Sequence, residues 1–157
     1  MAVNNLIASQ SCVDRIKATE ELRLVGYLCP AGVPTDGWGH TGPEVRVGRQ
    51  ITLATAQANF DGDLYRKAEQ PILNSVKVPL NQNQFDALVS LVFNIGAGNF
   101  ASSTLLQKLN NRDYAGAAGQ FLVWNKVRDP HTKQLVVSNG LSARRAAEKA
   151  TFETAVA

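Results

Sequence analysis

The stretch from Glu20 to Thr41, EELRLVGYLCPAGVPTDGWGHT, limits most tightly what this chain can fold into. Pro30, Gly32, Pro34, Gly37 and Gly39 rule out a long helix or a long strand. Leu22, Leu24 and Leu28 alternate with other residues, and Tyr27 and Trp38 are good strand formers, so the segment reads as a small Gly-rich β-hairpin or meander. The same stretch holds a carboxylate, a thiol, a hydroxyl and an imidazole in Glu20, Cys29, Thr35 and His40. A helix end followed by a tight hairpin can bring such side chains round one cleft.

Upstream, Ser11 and Asp14 have the spacing of a capping box, which predicts a helix from Cys12 to about Leu22. At about 100° per residue, Glu20 lies roughly 20° from Val13 on the apolar stripe marked by Val13 and Ile16. Glu21 falls roughly 80° away from Glu20, on the solvent side. A carboxyl on an apolar face is disfavoured as the anion, so its pKa rises and it can donate a proton at neutral pH. Glu20 is therefore the candidate general acid. An ion pair with Lys17 or Arg23 is the plainer alternative for the same side chain.

Eight residues separate Glu20 from Cys29, five separate Cys29 from Thr35, and Gly37-Trp38-Gly39-His40-Thr41 follows. This arrangement resembles the phage-type lysozymes, the endolysins of glycoside hydrolase family 24. Their signature is a glutamate, eight residues, an aspartate or sometimes a cysteine, five residues, a threonine, and then a glycine-aromatic-glycine-histidine-threonine run. The resemblance continues in order through Pro79 to Leu88, Phe93-Asn94-Ile95-Gly96, Ser103-Thr104-Leu105-Leu106 and Gly140 to Arg145. It covers roughly residue 11 to the end. Two departures are Glu21, where the family usually has glycine, and Asp36, where it usually has an apolar residue.

The resemblance implies a single lysozyme-like α+β domain, mostly helical. It would have a small N-terminal β-hairpin lobe at about 11–51, a connector helix at about 52–76 and a larger helical lobe at about 77–157 flanking the cleft. It implies hydrolysis of the β-1,4 bond between N-acetylmuramic acid and N-acetylglucosamine in bacterial peptidoglycan, with no cofactor and no metal. Glu20 would protonate the leaving oxygen, and Cys29 and Thr35 would hold the attacking water. An inverting scheme needs about 6.5 to 9.5 Å between acid and base to seat that water. A thiol with a pKa near 8.5 is mostly protonated at pH 7, so Cys29 is either acidified locally or serves to position the water. The family also implies an ion pair between His40 and Asp63, and a contact between Arg144 or Arg145 and the catalytic glutamate; solvated charge is the other reading of the two arginines.

At 157 residues the chain fits one domain that needs no disulfide or metal to stabilise it. Its net charge of +3 suits an anionic polymer such as a cell wall, but the basic residues are scattered without interleaved aromatics, which argues against nucleic acid. Two cysteines without regular spacing and two histidines argue against a disulfide framework or a zinc site. Cys12 lies about 12 Å along the helix from Glu20, too far for a bond to a cleft-facing Cys29. The N-terminus lacks a signal-peptide pattern, and no stretch approaches the length of a membrane span. The expectation is a monomer without a membrane anchor, held in the host cytoplasm until a holin, a separate membrane protein, releases it to the periplasm and cell wall.

Beyond the hairpin, Val45 to Gly48 is a possible further strand, and Thr52 an N-cap for a helix carrying Leu53, Ala56, Phe60 and Leu64, limited by Pro71. Asn81 caps a core helix with Phe85, Leu88, Val89, Val92 and Phe93, ended by Gly96 and Gly98. Polar residues between Asn94 and Phe100 either line the sugar cleft or simply cap that helix. Shorter helices follow from Ser102 or Ser103 to about Leu109, and from Asp113 to about Val123 or Trp124 with Tyr114, Ala117, Ala118 and Phe121 inward. A loop at Asp129-Pro130-His131 and a last helix from about Gly140 to Phe152 complete the chain.

Two further functions compete. Cys29 as nucleophile with His40 as base would make a cysteine amidase or peptidase acting on cell-wall peptides. An inert wall-binding module would leave the Glu20, Cys29, Thr35 spacing without a purpose.

Overall fold

The computed structural model describes residues 3–156, which divide into two compact units, 10–66 and 3–9 with 67–156. The architecture is α+β and mostly helical, with two short antiparallel hairpins among the described residues. The division between the units falls inside the segment 52–76.

The unit 10–66 begins with α1 (Gln10–Glu20), continues through the hairpin β1 (Arg23–Leu28) and β2 (Pro34–Gly37), and ends with α2 (Leu53–Leu64). Helix α1 starts two residues earlier than the Ser11 signal suggests, and Asp14 accepts a hydrogen bond from the Gln10 side chain at 2.8 Å. The helix also stops at Glu20 rather than Leu22. Glu21 lies beyond it with φ +59°, and its N–H donates to Lys17 O at 3.0 Å. That left-handed residue closes the helix where glycine is usual.

In the hairpin, Tyr27 opposes Thr35 and Leu28 opposes Pro34. The expected strand at Val45–Gly48 does not form; a turn closes at Gly48, and Gly48 to Ile51 run beside β1 through Gly26 N–H to Arg49 O at 2.9 Å and Ile51 N–H to Leu24 O at 2.8 Å. Gly26 permits this approach, since a Cβ there would lie 1.9 Å from the Arg46 carbonyl oxygen. Thr52 caps α2 as its position suggests, its hydroxyl accepting from Thr55 N–H at 3.1 Å. Cys12, Ile16, Val45, Ile51, Ala56, Phe60 and Leu64 are the buried apolar residues that carry this unit.

Pro71 does not end the helical path. A π-helical turn at Tyr65–Glu69 leads into α3 (Gln70–Ser75), where Pro71 sits in the first turn and its fixed φ suits the helix.

In the other unit the core helix is α4 (Gln82–Ile95), with a full capping box between Asn81 and Gln84. Phe85, Leu88, Val89, Leu91 and Val92 are fully buried on it, so truncating any one to alanine would cost about 2–5 kcal/mol. Gly96, at φ +91°, terminates α4, whereas Gly98 lies within α5 (Ala97–Ala101) and ends nothing. Ser103 caps α6 (Thr104–Asn110) and Asp113 caps α7 (Tyr114–Gln120), which tightens into a 3-10 turn at Phe121–Val123.

The expected loop at Asp129–His131 is the turn of a second hairpin, β3 (Lys126–Arg128) with β4 (Leu135–Val137), in which Asp129 accepts from the N–H groups of His131 and Thr132. The last helix, α8 (Asn139–Glu153), is capped by Ser138 and packs chiefly on α4. The N-terminal segment is stitched to this unit: the Asn4 side chain bonds Val78 O and Leu80 N–H, and Ala8 N–H donates to Glu69 at 2.8 Å.

Candidate active site

The three candidate residues all belong to the unit 10–66. Cys29 directly follows β1 and opens a tight turn, with its N–H on Val33 O at 3.0 Å and its carbonyl accepting from Gly32 N–H at 2.8 Å. Thr35 is buried on β2, and its hydroxyl reaches Val33 O at 2.9 Å. The hairpin register, Tyr27 opposite Thr35 and Leu28 opposite Pro34, sets Thr35 beside the turn that Cys29 opens.

Backbone N–H groups focused on one sulfur favour its anion. The Cys29 thiol is held below its ordinary value, chiefly by the backbone of Val33, with Ala31, Gly32 and the Thr35 hydroxyl adding to that effect against a smaller desolvation penalty. The Thr35 hydroxyl has one proton, so it can turn from Val33 O to the sulfur when the sulfur ionises. The backbone of this turn thus favours the thiolate of Cys29.

Glu20 is half-buried at the last residue of α1, while Glu21 is exposed. The Glu20 carboxylate lies against Gly39: a Cβ on that glycine would stand 2.8 Å from Glu20 Oε2. Gly39 belongs to a turn closed on itself by Asp36 N–H to His40 O at 3.0 Å and His40 N–H to Asp36 O at 2.8 Å. Between these clamps, Trp38 meets Phe60 edge-on at 5.8 Å and carries the Lys17 ammonium over its ring at 4.3 Å.

His40 is buried, with Nδ1 2.7 Å from Asp63 Oδ2 and Nε2 2.7 Å from Glu44 Oε1. Burial disfavours the imidazolium, yet the hydrogen bonds to Glu44 and Asp63 outweigh it and raise the pKa above the ordinary histidine value. Asp63 also pairs with Arg66 at 3.0 Å. The expected His40–Asp63 pair is present. With both ring nitrogens on carboxylates, His40 has no lone pair to offer a thiol, which removes the base that the amidase reading requires.

Two acids of this network were not assigned a place by the sequence. Asp36 was visible only as a departure from the family pattern. It follows Thr35 on β2 and so points to the opposite face. It is 2% exposed, its Oδ1 has no hydrogen-bond partner, and burial pushes its pKa up, opposed by the charge of His40 and supported by that of Glu44. Glu44 carried no signal, because four-residue spacing means proximity only in a helix and residues 40–44 are not helical.

Arg144 and Arg145 both reach Glu148 in the helical unit, at 3.4 Å and 2.8 Å. Arg145 is fully buried, and Glu148 also accepts a hydrogen bond from Ser90. Burial lowers the Arg145 pKa and raises that of Glu148, each countered by the other's charge. Among the described residues no group of histidines, cysteines and carboxylates is arranged to hold a metal ion.

The phage lysozyme family model matches residues 17–148. The chain belongs to the phage lysozyme family. Its relatives include the endolysin of Acyrthosiphon pisum secondary endosymbiont phage 1, 47% identical over 141 residues, which span 89% of this chain and 93% of that protein. The endolysin of Salmonella phage P22 is 42% identical over 149 residues, 92% of this chain and 96% of that one. Among solved structures, the muramidase domain of SpmX from Asticaccaulis excentricus superposes with a TM-score of 0.86 at 36% identity, covering 96% of this chain and all of that domain. The fold is lysozyme-like, and as a phage lysozyme the chain is a glycoside hydrolase.

Proposed function

We propose that this phage lysozyme cleaves the β-1,4 bond between N-acetylmuramic acid and N-acetylglucosamine in bacterial peptidoglycan, with Glu20 as the acid and Cys29 and Thr35 as the holders of water. Its membership of the phage lysozyme family makes peptidoglycan the substrate. The observation that carries the residue roles is the hairpin itself. One end holds Cys29 in a turn closed by its N–H on Val33 O, with Thr35 two residues further along, and the turn at the other end receives the Glu20 carboxylate.

In this reading Glu20 gives its proton to the glycosidic oxygen as the bond from that oxygen to the muramic acid C1 breaks. The water oxygen bonds to C1, and its proton passes to the Cys29 thiolate. The products are a free 4-hydroxyl and a new reducing end. Exchange with solvent returns the proton from sulfur to Glu20. Thr35 orients the thiolate and the water, and no cofactor takes part.

Monomeric action and release to the wall by a holin belong to the same reading, supported by the resemblance to phage endolysins. No helix among the described residues is long and apolar enough to cross a membrane.

Glu20→Gln keeps the side chain's shape and removes the acidic proton. It should fold normally and lose nearly all release of reducing ends from peptidoglycan. Full turnover by that variant would exclude Glu20 as the acid, and release of free amines in place of reducing ends would restore the amidase.

A further inference from the structure

The glycine-aromatic-glycine run has a role that its turn geometry alone does not explain. Gly37, Gly39 and Gly48 all have positive φ, at +56°, +79° and +83°, so each accommodates a backbone shape that other residues adopt at a cost. They differ in what a side chain would meet. At Gly48 there is nothing within 4 Å, and at Gly37 the nearest atom is the Ala56 Cβ at an ordinary 3.5 Å. At Gly39 a Cβ would stand 2.8 Å from Glu20 Oε2 and 3.6 Å from its carboxyl carbon, and from no other side chain or backbone within 4 Å.

We infer that Gly39 is a positioning residue for the reaction: the space its missing side chain leaves is the seat that fixes the Glu20 carboxylate. This rests on the reading of Glu20 as the acid. The seat is rigid on one side only. The turn bearing Gly39 is held by the paired backbone bonds between Asp36 and His40. The His40 ring is fixed by Asp63 and Glu44, and the Trp38 ring by Phe60 and Lys17. The atom that a Cβ at position 39 would meet, Glu20 Oε2, is the far end of a side chain with three rotatable bonds. A methyl group at position 39 therefore displaces the carboxylate rather than the turn. A misplacement of about 1 Å in a reacting group can cost about 100-fold in rate.

The test compares Gly39→Ala with Gly48→Ala, which imposes a similar left-handed strain away from Glu20. Folded fraction, melting temperature, kcat, KM and the pH profile of kcat are measured on soluble peptidoglycan fragments. Gly39→Ala should fold, lose 10- to 100-fold in kcat with KM changed less than about two-fold, and show a displaced high-pH limb, the limb that reports the proton donor. Gly48→Ala should lose stability and keep both kcat and the profile. Gly39→Asn carries the same Cβ on a residue more tolerant of this backbone, and covers the case in which the alanine variant does not fold.

Wild-type kcat per folded molecule in the position-39 variants would overturn the inference. So would a rise in KM at unchanged kcat, which would make Gly39 a wall of the substrate site instead. If Glu20→Gln itself retains full turnover, the reading of Glu20 fails and takes this inference with it. An inert Glu20→Gln beside a fully active Gly39→Ala defeats the positioning role alone.

Discussion

His40 Nδ1 lies 2.7 Å from Asp63 Oδ2, so one buried contact ties the turn that seats Glu20 to helix α2. His40→Asn replaces the imidazole beside Asp63 with a weaker, uncharged partner, leaves Arg66 as the one ion pair of Asp63 among the described residues, and gives up the bond to Glu44. The loss should be about 2 kcal/mol, or roughly 4–8 °C in melting temperature for a chain of this size, with turnover per folded molecule largely kept. The sign with pH follows from the raised histidine pKa. The charged form is favoured by folding, so its contribution is complete below the unfolded value near 6.5 and fades as the pH climbs through the folded value. Melting curves of both proteins should therefore differ most at pH 5 to 6 and converge in alkali. A stable but inactive variant would instead give His40 a chemical role.

Glu21 occupies a left-handed position at φ +59° that closes α1, and a Cβ there is strained. Glu21→Gly should raise stability by about 0.5–1 kcal/mol, the relief of strain being partly offset by the extra freedom of glycine in the unfolded chain. Because the Glu21 side chain is exposed, both Glu21→Gly and Glu21→Gln should leave turnover nearly unchanged. Equal melting temperatures for wild type and Glu21→Gly would show that this residue carries no strain.

Asp36 brings a carboxyl into a buried place where one oxygen has no donor. Its raised pKa means that folding favours the protonated form, so the stability it supplies at low pH is lost as pH rises through the folded value. Asp36→Val should therefore melt higher than wild type at pH 7, by about 1–3 kcal/mol, and the advantage should shrink as pH falls toward 4. His40, Glu44, Asp63 and Arg49 face this carboxyl, so the same titration should be repeated in His40→Asn to separate the two groups. An advantage independent of pH would mean that Asp36 is already neutral across the range.

What the sequence made legible followed from local chemistry. Thr52, Asn81 and Asp113 were readable as caps because a side-chain oxygen three residues before a free N–H is a local arrangement. The Glu20, Cys29, Thr35 spacing was readable because one hairpin contains it. The contacts that missed were those the chain closes over distance. The stitching of Asn4 to Val78 and Leu80 leaves no mark in either segment, and neither does the approach of Gly39 to Glu20. Strands β3 and β4 are three residues each and exposed throughout, so alternation had no buried face to reveal them. Pro71 reads as a stop until a π-helical turn is placed before it.

The role given to Cys29 is decided by one position. Its sulfur is acidified by the backbone at Val33, Ala31 and Gly32, a setting that suits any anion of similar size. If Cys29 holds and deprotonates water, an aspartate there does so at least as well, since its carboxylate is ionised at neutral pH. Cys29→Asp should keep substantial lysis, Cys29→Ser less and Cys29→Ala least. A nucleophilic cysteine predicts the reverse, because aspartate cannot pass through a thioester. Turbidity loss of bacterial cell walls, at matched folded-protein concentrations over a pH series, separates the two. The wild-type profile should contain the rise of the thiolate with pH, displaced below the range of a free thiol, and that rise should vanish in Cys29→Asp. A well-folded but inert Cys29→Asp would remove the water-holding role from this residue.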